Sequence, residues 1–155
     1  MVKIMFVCHG NICRSPMAEF IFKDMIAKKG LSEHFFITSS ATSTEEIGNT
    51  VHHGTKAKLN EFGISVKGKK AVQLTRKDFK EYDYLLGMDA QNIRNMNHIA
   101  GIYHKNKVHR LLDFSEIPRD IADPWYTGNF DITYDDIYEG CECFLSTLLS
   151  EGAPF

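Results

Sequence analysis

Short apolar runs of strand length alternate with helix-period segments along this chain, and that alternation is what most limits its fold. "KIMFV" (Lys3 to Val7), "FFITSS" (Phe35 to Ser40), "YDYLLGM" (Tyr82 to Met88) and "KVHRLL" (Lys107 to Leu112) read as strands. Between the first two, Met17, Phe20, Ile21 and Met25 recur at helical spacing until Lys29-Gly30, where glycine ends the helix. Ser15-Pro16 reads as its N-cap and first helical residue. Thr55 to Gly63 and "AQNIRNM" are further helices. The last helix carries Ile137, Cys141, Phe144, Leu145 and Leu148 on one face. Strands alternating with helices predict an α/β fold with a parallel sheet covered on both faces. The 155 residues suit a single domain spanning 1–155, with no repeat, linker or low-complexity tract.

In such folds ligands sit outside the carboxyl ends of the strands. Cys8 stands at the end of the first strand, and the long irregular stretch from Asp113 to about Thr133 follows the fourth. Both segments should share one rim. Other function classes lack support. The net charge of -2 gives no electrostatic basis for nucleic-acid binding, and Lys67, Lys69 and Lys70 read as a solvated loop. No run approaches the roughly 20 apolar residues of a membrane span. "MVKIMFV" is too short for a signal peptide. The cysteine pairs Cys8/Cys13 and Cys141/Cys143 do not have zinc-knuckle spacing. A chain of this size needs no disulfide staples, which points to a reducing, cytoplasmic compartment. His52-His53 is a weak candidate for metal, and no metal site is expected.

"VCHGNICRSP", residues 7 to 16, has the makings of an anion site. Successive N–H groups in a strand-to-helix turn can form a nest, and the helix start adds the positive end of its dipole. Arg14 adds a planar fork for two oxyanion oxygens. Gly10 allows a tight turn, and Asn11 tolerates the left-handed conformation. The same positive potential favours the thiolate of Cys8, a nucleophile that needs no general base. The Ser15 hydroxyl can donate to that thiolate. Phosphoryl transfer also needs a proton for the departing oxygen. Asp113, Asp120, Asp123 and Asp131 are candidates, and Asp123 stands out in "ADPWYTGN", where Trp125 and Tyr126 can wall off solvent. Asp-Pro also simply opens turns.

These residues resemble the low-molecular-weight protein tyrosine phosphatases over nearly the whole chain. The family's loop, Cys-x-Gly-Asn-x-Cys-Arg-Ser-Pro, is matched by Cys8, Gly10, Asn11, Cys13, Arg14, Ser15 and Pro16, and its Asp-Pro-aromatic segment by Asp123-Pro124-Trp125-Tyr126. "SSATSTEEIGN" and "YDYLLGMD" also look like family segments. The resemblance implies a four-stranded parallel sheet flanked by helices, with the phosphate-binding loop after the first strand. It implies hydrolysis of phosphotyrosine proteins in two steps, through a phosphocysteine on Cys8, with no metal or other cofactor. Arg14 would bind phosphate and Asp123 would serve as general acid and base. His9, Gly10, Asn11, Ile12, Cys13, Ser15, Glu45, Trp125 and Tyr126 would line the substrate site. Asn11 would hold the loop through Ser15 and Ser39, and Cys13 would trap an oxidised Cys8 as a disulfide. A monomer is expected. Three places depart from the usual pattern: His9 for leucine, Glu45 for an aromatic wall, and Lys69 and Val72 for a histidine and an arginine.

Rival readings remain on the same loop. A thiol-dependent arsenate reductase needs two further cysteines after the third strand, and Gly87 to Ala100 has none. An arginine phosphatase resembles this loop with threonine in place of Ile12. A phosphotyrosine-binding module would have lost the nucleophile or the acid. A phosphocysteine carrier of sugar transport would not need Asp123 or the aromatic pair.

Overall fold

The computed structural model describes residues 1–101 and 104–152. Its strands are β1 (Val2–Cys8), β2 (Phe35–Ala41), β3 (Tyr84–Gly87) and β4 (Val108–Arg110). Its helices are α1 (Arg14–Lys28), α2 (His53–Asn60), α3 (Asp78–Glu81), α4 (Ala90–Ala100), α5 (Pro124–Thr127) and α6 (Phe130–Ser150). The sheet order is β2-β1-β3-β4 and every pairing is parallel. The expected four-stranded parallel sheet with helices on both faces is therefore the fold.

Burial on both faces explains why β1 reads as an unbroken apolar run. Ile4, Phe6 and Cys8 join the cluster formed with α1 and α6, while Met5 and Val7 join the one formed with Phe79, Leu85 and Met96. Phe22 of α1 anchors the first cluster, packing edge-on against Phe6 at 5.8 Å and Phe35 at 6.0 Å. Each such ring, fully removed from water, contributes on the order of 1.5–3 kcal/mol. The predicted face of α6 is buried at all five positions.

The order in which strands are added reverses at β1: the chain moves outward to β2 on one side and then to β3 and β4 on the other. That switch point opens a crevice at the carboxyl end of β1, where Cys8 lies. Several boundaries differ from expectation, β3 being shorter at Tyr84–Gly87, and three of the differences have a visible cause. β4 stops at Arg110, because Leu111 and Leu112 turn into a buried 3₁₀ helix (Leu111–Phe114) closed by hydrogen bonds from Arg110 to Asp113. α2 starts earlier, at His53, because the ring Nδ1 of His52 accepts the Gly54 N–H at 3.0 Å and caps it. The supposed irregular stretch contains α5 and the start of α6, capped by Asp123 and Asn129.

Candidate active site

Cys8 is the last residue of β1 and is buried. Its Sγ lies 3.0 Å from Ser15 Oγ, and it accepts the N–H groups of Asn11 at 3.3 Å and Ser15 at 3.4 Å. The sulfur therefore faces two backbone N–H donors and a hydroxyl. The expected Ser15 cap is not made. α1 begins at Arg14, the N-cap position is Cys13, and no side chain caps it. The reason is that the Ser15 hydroxyl is engaged by Cys8 and by Asn11 Nδ2, at 2.7 Å. In the uncapped first turn the Ser15 N–H is taken by Cys8, the Met17 N–H by the Cys13 carbonyl, and Pro16 has none, so the Arg14 N–H is the one left for an anion.

Asn11 holds the loop. It takes φ 58°, the left-handed conformation expected of it. Its Nδ2 donates to Ser15 Oγ and, at 2.9 Å, to Ser39 Oγ, while its Oδ1 accepts the Val72 N–H at 3.1 Å. Gly10 behaves differently from expectation. Its φ is not in the left-handed region, and a Cβ there would lie 3.3 Å from Glu46 Cγ. Its glycine serves close approach rather than an unusual turn. Behind Asn11, Ser39 Oγ donates to buried Glu19, which also pairs with Lys23 and, at 3.6 Å, with Lys69. Lys69 Nζ donates to the Ser39 carbonyl at 2.8 Å, and burial lowers its pKa.

Arg14 is 2 % exposed. Its Nη1 donates to Asp89 Oδ2 at 2.7 Å and to the Ile121 carbonyl at 2.8 Å, which fixes the guanidinium plane. Burial alone would lower its pKa, but Cys8, Asp89 and Asp123 outweigh that and raise it. Its Nη2 reaches Asp123 Oδ2 only at 3.5 Å. The other Asp123 oxygen, Oδ1, accepts the Trp125 N–H at 3.0 Å and caps α5. Turn opening and site chemistry thus share one carboxyl group. The other acidic candidates are tied elsewhere: Asp113 and Asp120 to Arg110, Asp131 to Lys58.

A cavity of about 110 Å³ brings Cys8, His9, Gly10, Ile12, Cys13 and Arg14 together with Glu45, Glu46, Asp123, Trp125 and Tyr126. Asn11 and Ser15, expected at the substrate, sit behind the loop instead, 1 % and 0 % exposed. Trp125 and Tyr126 line the mouth but do not seal it, at 57 % and 83 % exposed. On the rim, His9 Nε2 lies 3.0 Å from Glu45 Oε2, so the two unusual residues answer one another. Burial, then the nearby charges of Cys8 and Asp123, push the Cys13 thiol up to about 12. Cys141 is fully buried in the core, as its place on the apolar face of α6 predicts, and burial raises its pKa.

Sequence reasoning missed Asp89, Glu19 and His52. Asp89 had a signal, since an aspartate between a strand and a helix pattern is a natural N-cap, and it does accept the Asn92 N–H at 2.7 Å. Its grip on Arg14 had none. His52 donates its backbone N–H to the Ile12 carbonyl at 2.9 Å. Its ring stacks between His53 at 4.2 Å and Phe130 at 5.4 Å and meets Trp125 edge-on at 5.6 Å. Burial first, then the neighbouring His53, lowers its pKa, so it packs as a neutral ring.

The sequence model described as "Low molecular weight phosphotyrosine protein phosphatase" matches residues 3–153. The chain belongs to that family. It is 42% identical over 153 residues to the low molecular weight protein-tyrosine-phosphatase YfkJ of Bacillus subtilis, covering 97% of this chain and 98% of that one. The crystal structure of YfkJ superposes with a TM-score of 0.94, covering 98% and 97% of the two chains. The rat low molecular weight phosphotyrosine protein phosphatase is 35% identical over 147 residues, 92% of each chain. DARP, a Drosophila arginine phosphatase, is 27% identical with a TM-score of 0.87, covering 94% of this chain and 97% of that one. Membership in the low molecular weight phosphatase family accords with the loop, the sheet order and the cavity that Cys8 and Asp123 share.

Proposed function

We propose that this chain is a protein tyrosine phosphatase, hydrolysing phosphotyrosine and other aryl phosphate monoesters through a phosphocysteine on Cys8. The observation that carries it is the uncapped start of α1, with Cys8 Sγ under two N–H donors and beside the Ser15 hydroxyl, and Asp123 in the same cavity. The phosphoryl oxygens take the free loop amides and the open edge of the Arg14 guanidinium, whose other edge Asp89 holds. An arriving dianion competes for Arg14 Nη2 and releases the long contact to Asp123.

The Cys8 thiolate attacks phosphorus and the P–O bond to the aryl group breaks. Its electron pair goes to the phenol oxygen, which takes the proton of Asp123. Water then attacks the phosphocysteine, Asp123 accepts its proton, and the P–S bond breaks to return the thiolate. Ser15 Oγ stabilises that thiolate on departure. His9, Gly10, Ile12, Glu45, Trp125 and Tyr126 form the walls, and Asn11 and Ser15 act from behind the loop. Ile12 offers an aromatic ring an apolar contact. It also argues against the arginine phosphatase reading that DARP brings to mind. Every group in this scheme comes from one chain, and one domain over 1–155 acting as a monomer suffices for it. The four free cysteines suit a reducing, cytoplasmic setting. Among the described residues no helix is long and apolar enough to cross a membrane.

The test is hydrolysis of para-nitrophenyl phosphate in EDTA. Turnover is expected in the wild type and none in Cys8→Ser. A need for added divalent metal, or full activity in the variant, would overturn the mechanism.

A further inference from the structure

We propose that the groove between α2 and the 63–69 turn docks an acidic stretch of the phosphoprotein substrate, at a distance from its phosphotyrosine. This rests on the phosphatase reading and adds a second recognition surface to it. The groove encloses about 790 Å³. Its floor is apolar, from Val51 and Val66, and His53, Lys56, Lys67 and Lys69 stand along it; among the described residues no aspartate or glutamate lines it.

The cations divide into two kinds. Lys69 is committed inward to Ser39 and Glu19. Lys56 and Lys67 are exposed, and among the described residues no carboxylate pairs with either. The contrast with Lys58 on the same helix is plain, since Glu61 and Asp131 both neutralise it. Two uncompensated ammonium groups above an apolar floor complement a segment of alternating acidic and apolar residues.

The walls are preformed. The Ile64 N–H donates to the Leu59 carbonyl at 3.1 Å, the Lys69 N–H to Val66 at 3.2 Å, and Thr50 bridges Lys70 in antiparallel fashion. A segment docking there meets little ordering cost on the protein side. The groove also begins beside the catalytic cavity. His53, at its near end, stacks on His52, which backs Trp125 and bonds the Ile12 carbonyl of the loop. One extended peptide, advancing about 3.3 Å per residue, can leave the cavity and follow α2.

The experiment uses phosphotyrosine peptides carrying a glutamate block several residues to either side, with glutamine-block peptides as controls. For wild type at low salt, kcat/KM is expected to favour one glutamate peptide over its control by about 2- to 30-fold, the range of two exposed ion pairs. The preference should fade with salt. In Lys56→Ala/Lys67→Ala it should vanish, with para-nitrophenyl phosphate and control peptides turned over as before. No preference in wild type, or the same preference in the double variant, overturns the proposal. Binding of the glutamate block alone to Cys8→Ser protein, read by amide shifts along α2, separates the two readings. Shifts there without turnover in wild type would leave the groove standing and remove the phosphatase reading. Turnover without shifts would do the reverse. Equal shifts with a poly-uridine oligomer would make the groove a general polyanion site and overturn the peptide assignment.

Discussion

Asn11→Ala should cost both stability and activity, by an amount the local geometry sets. Three hydrogen bonds are lost, to Ser15, Ser39 and the Val72 N–H. At about 0.5–1.5 kcal/mol net for each, that is roughly 1.5–4.5 kcal/mol. The two hydroxyls keep other partners, Cys8 and Glu19, whereas the Val72 N–H is stranded. Alanine at φ 58° adds about 1 kcal/mol of strain. The total is about 2.5–5.5 kcal/mol, with about 3–5 as its central part. Unfolding entropy of about 2.1 cal/mol/K per residue turns this into a fall of roughly 9–15 °C in Tm. Asn11→Gly loses the same bonds but not the left-handed freedom, so it should melt about 3 °C above the alanine variant. Scanning calorimetry reads both, and kcat/KM for para-nitrophenyl phosphate should fall in both, because Cys8 loses a fixed Asn11 N–H. A fall in Tm under about 3 °C, or a glycine variant less stable than the alanine one, would refute the view that Asn11 is the keystone of the loop.

Asp123→Asn keeps the Oδ1 cap on Trp125 but removes the proton, so kcat should fall by about 10²–10⁴, less for leaving groups of low pKa. A larger defect in Asp120→Asn would move the acid role. Peroxide should convert Cys8 to a sulfenic acid, which Cys13 then displaces to give a Cys8–Cys13 disulfide and water. With the Cys13 thiol pushed up to about 12, that second step should quicken about tenfold per pH unit from pH 7 to 9. A flat profile by mass spectrometry, or a Cys8 link to Cys143, would count against it. Glu45 and Glu46 should favour basic residues next to phosphotyrosine by a few-fold only, because His9 and Asn49 already hold them. Equal peptide selectivity in Glu45→Gln/Glu46→Gln would remove the rim from substrate choice.

Much of the frame was legible because its causes are local. The four apolar runs of strand length, the glycine stop near Gly30 and the buried face of α6 at helical spacing are each written in a single stretch of chain. The Cys8-to-Pro16 motif is local too, since a strand, a turn and a helix start occupy consecutive positions. Ser15 marks where local reading fails. Its identity fits a cap, but its hydroxyl is drawn to Cys8 and Asn11 once the loop closes. Gly10 fails similarly: its neighbour is Glu46, 36 positions away in the chain, and not its own turn.

What only the tertiary structure decided is which distant groups meet. Sequence patterning cannot say that Asp89 grips Arg14, that Lys69 and Glu19 share Ser39 behind the loop, or that Asp123 rather than Asp113 or Asp120 lines the cavity of Cys8. These pairings follow from the sheet order β2-β1-β3-β4, which places the ends of β1 and β3 side by side and brings the segment before α5 over them. Side-chain periodicity records which face each residue presents, but it carries no record of which strand lies next to which. The sequence by itself determined the thiol, the guanidinium and the helix start in one loop. The fold brought Asp123 into the cavity of Cys8, fixed the plane of the arginine and, among the described residues, left two lysines on α2 and its following turn without a counter-charge.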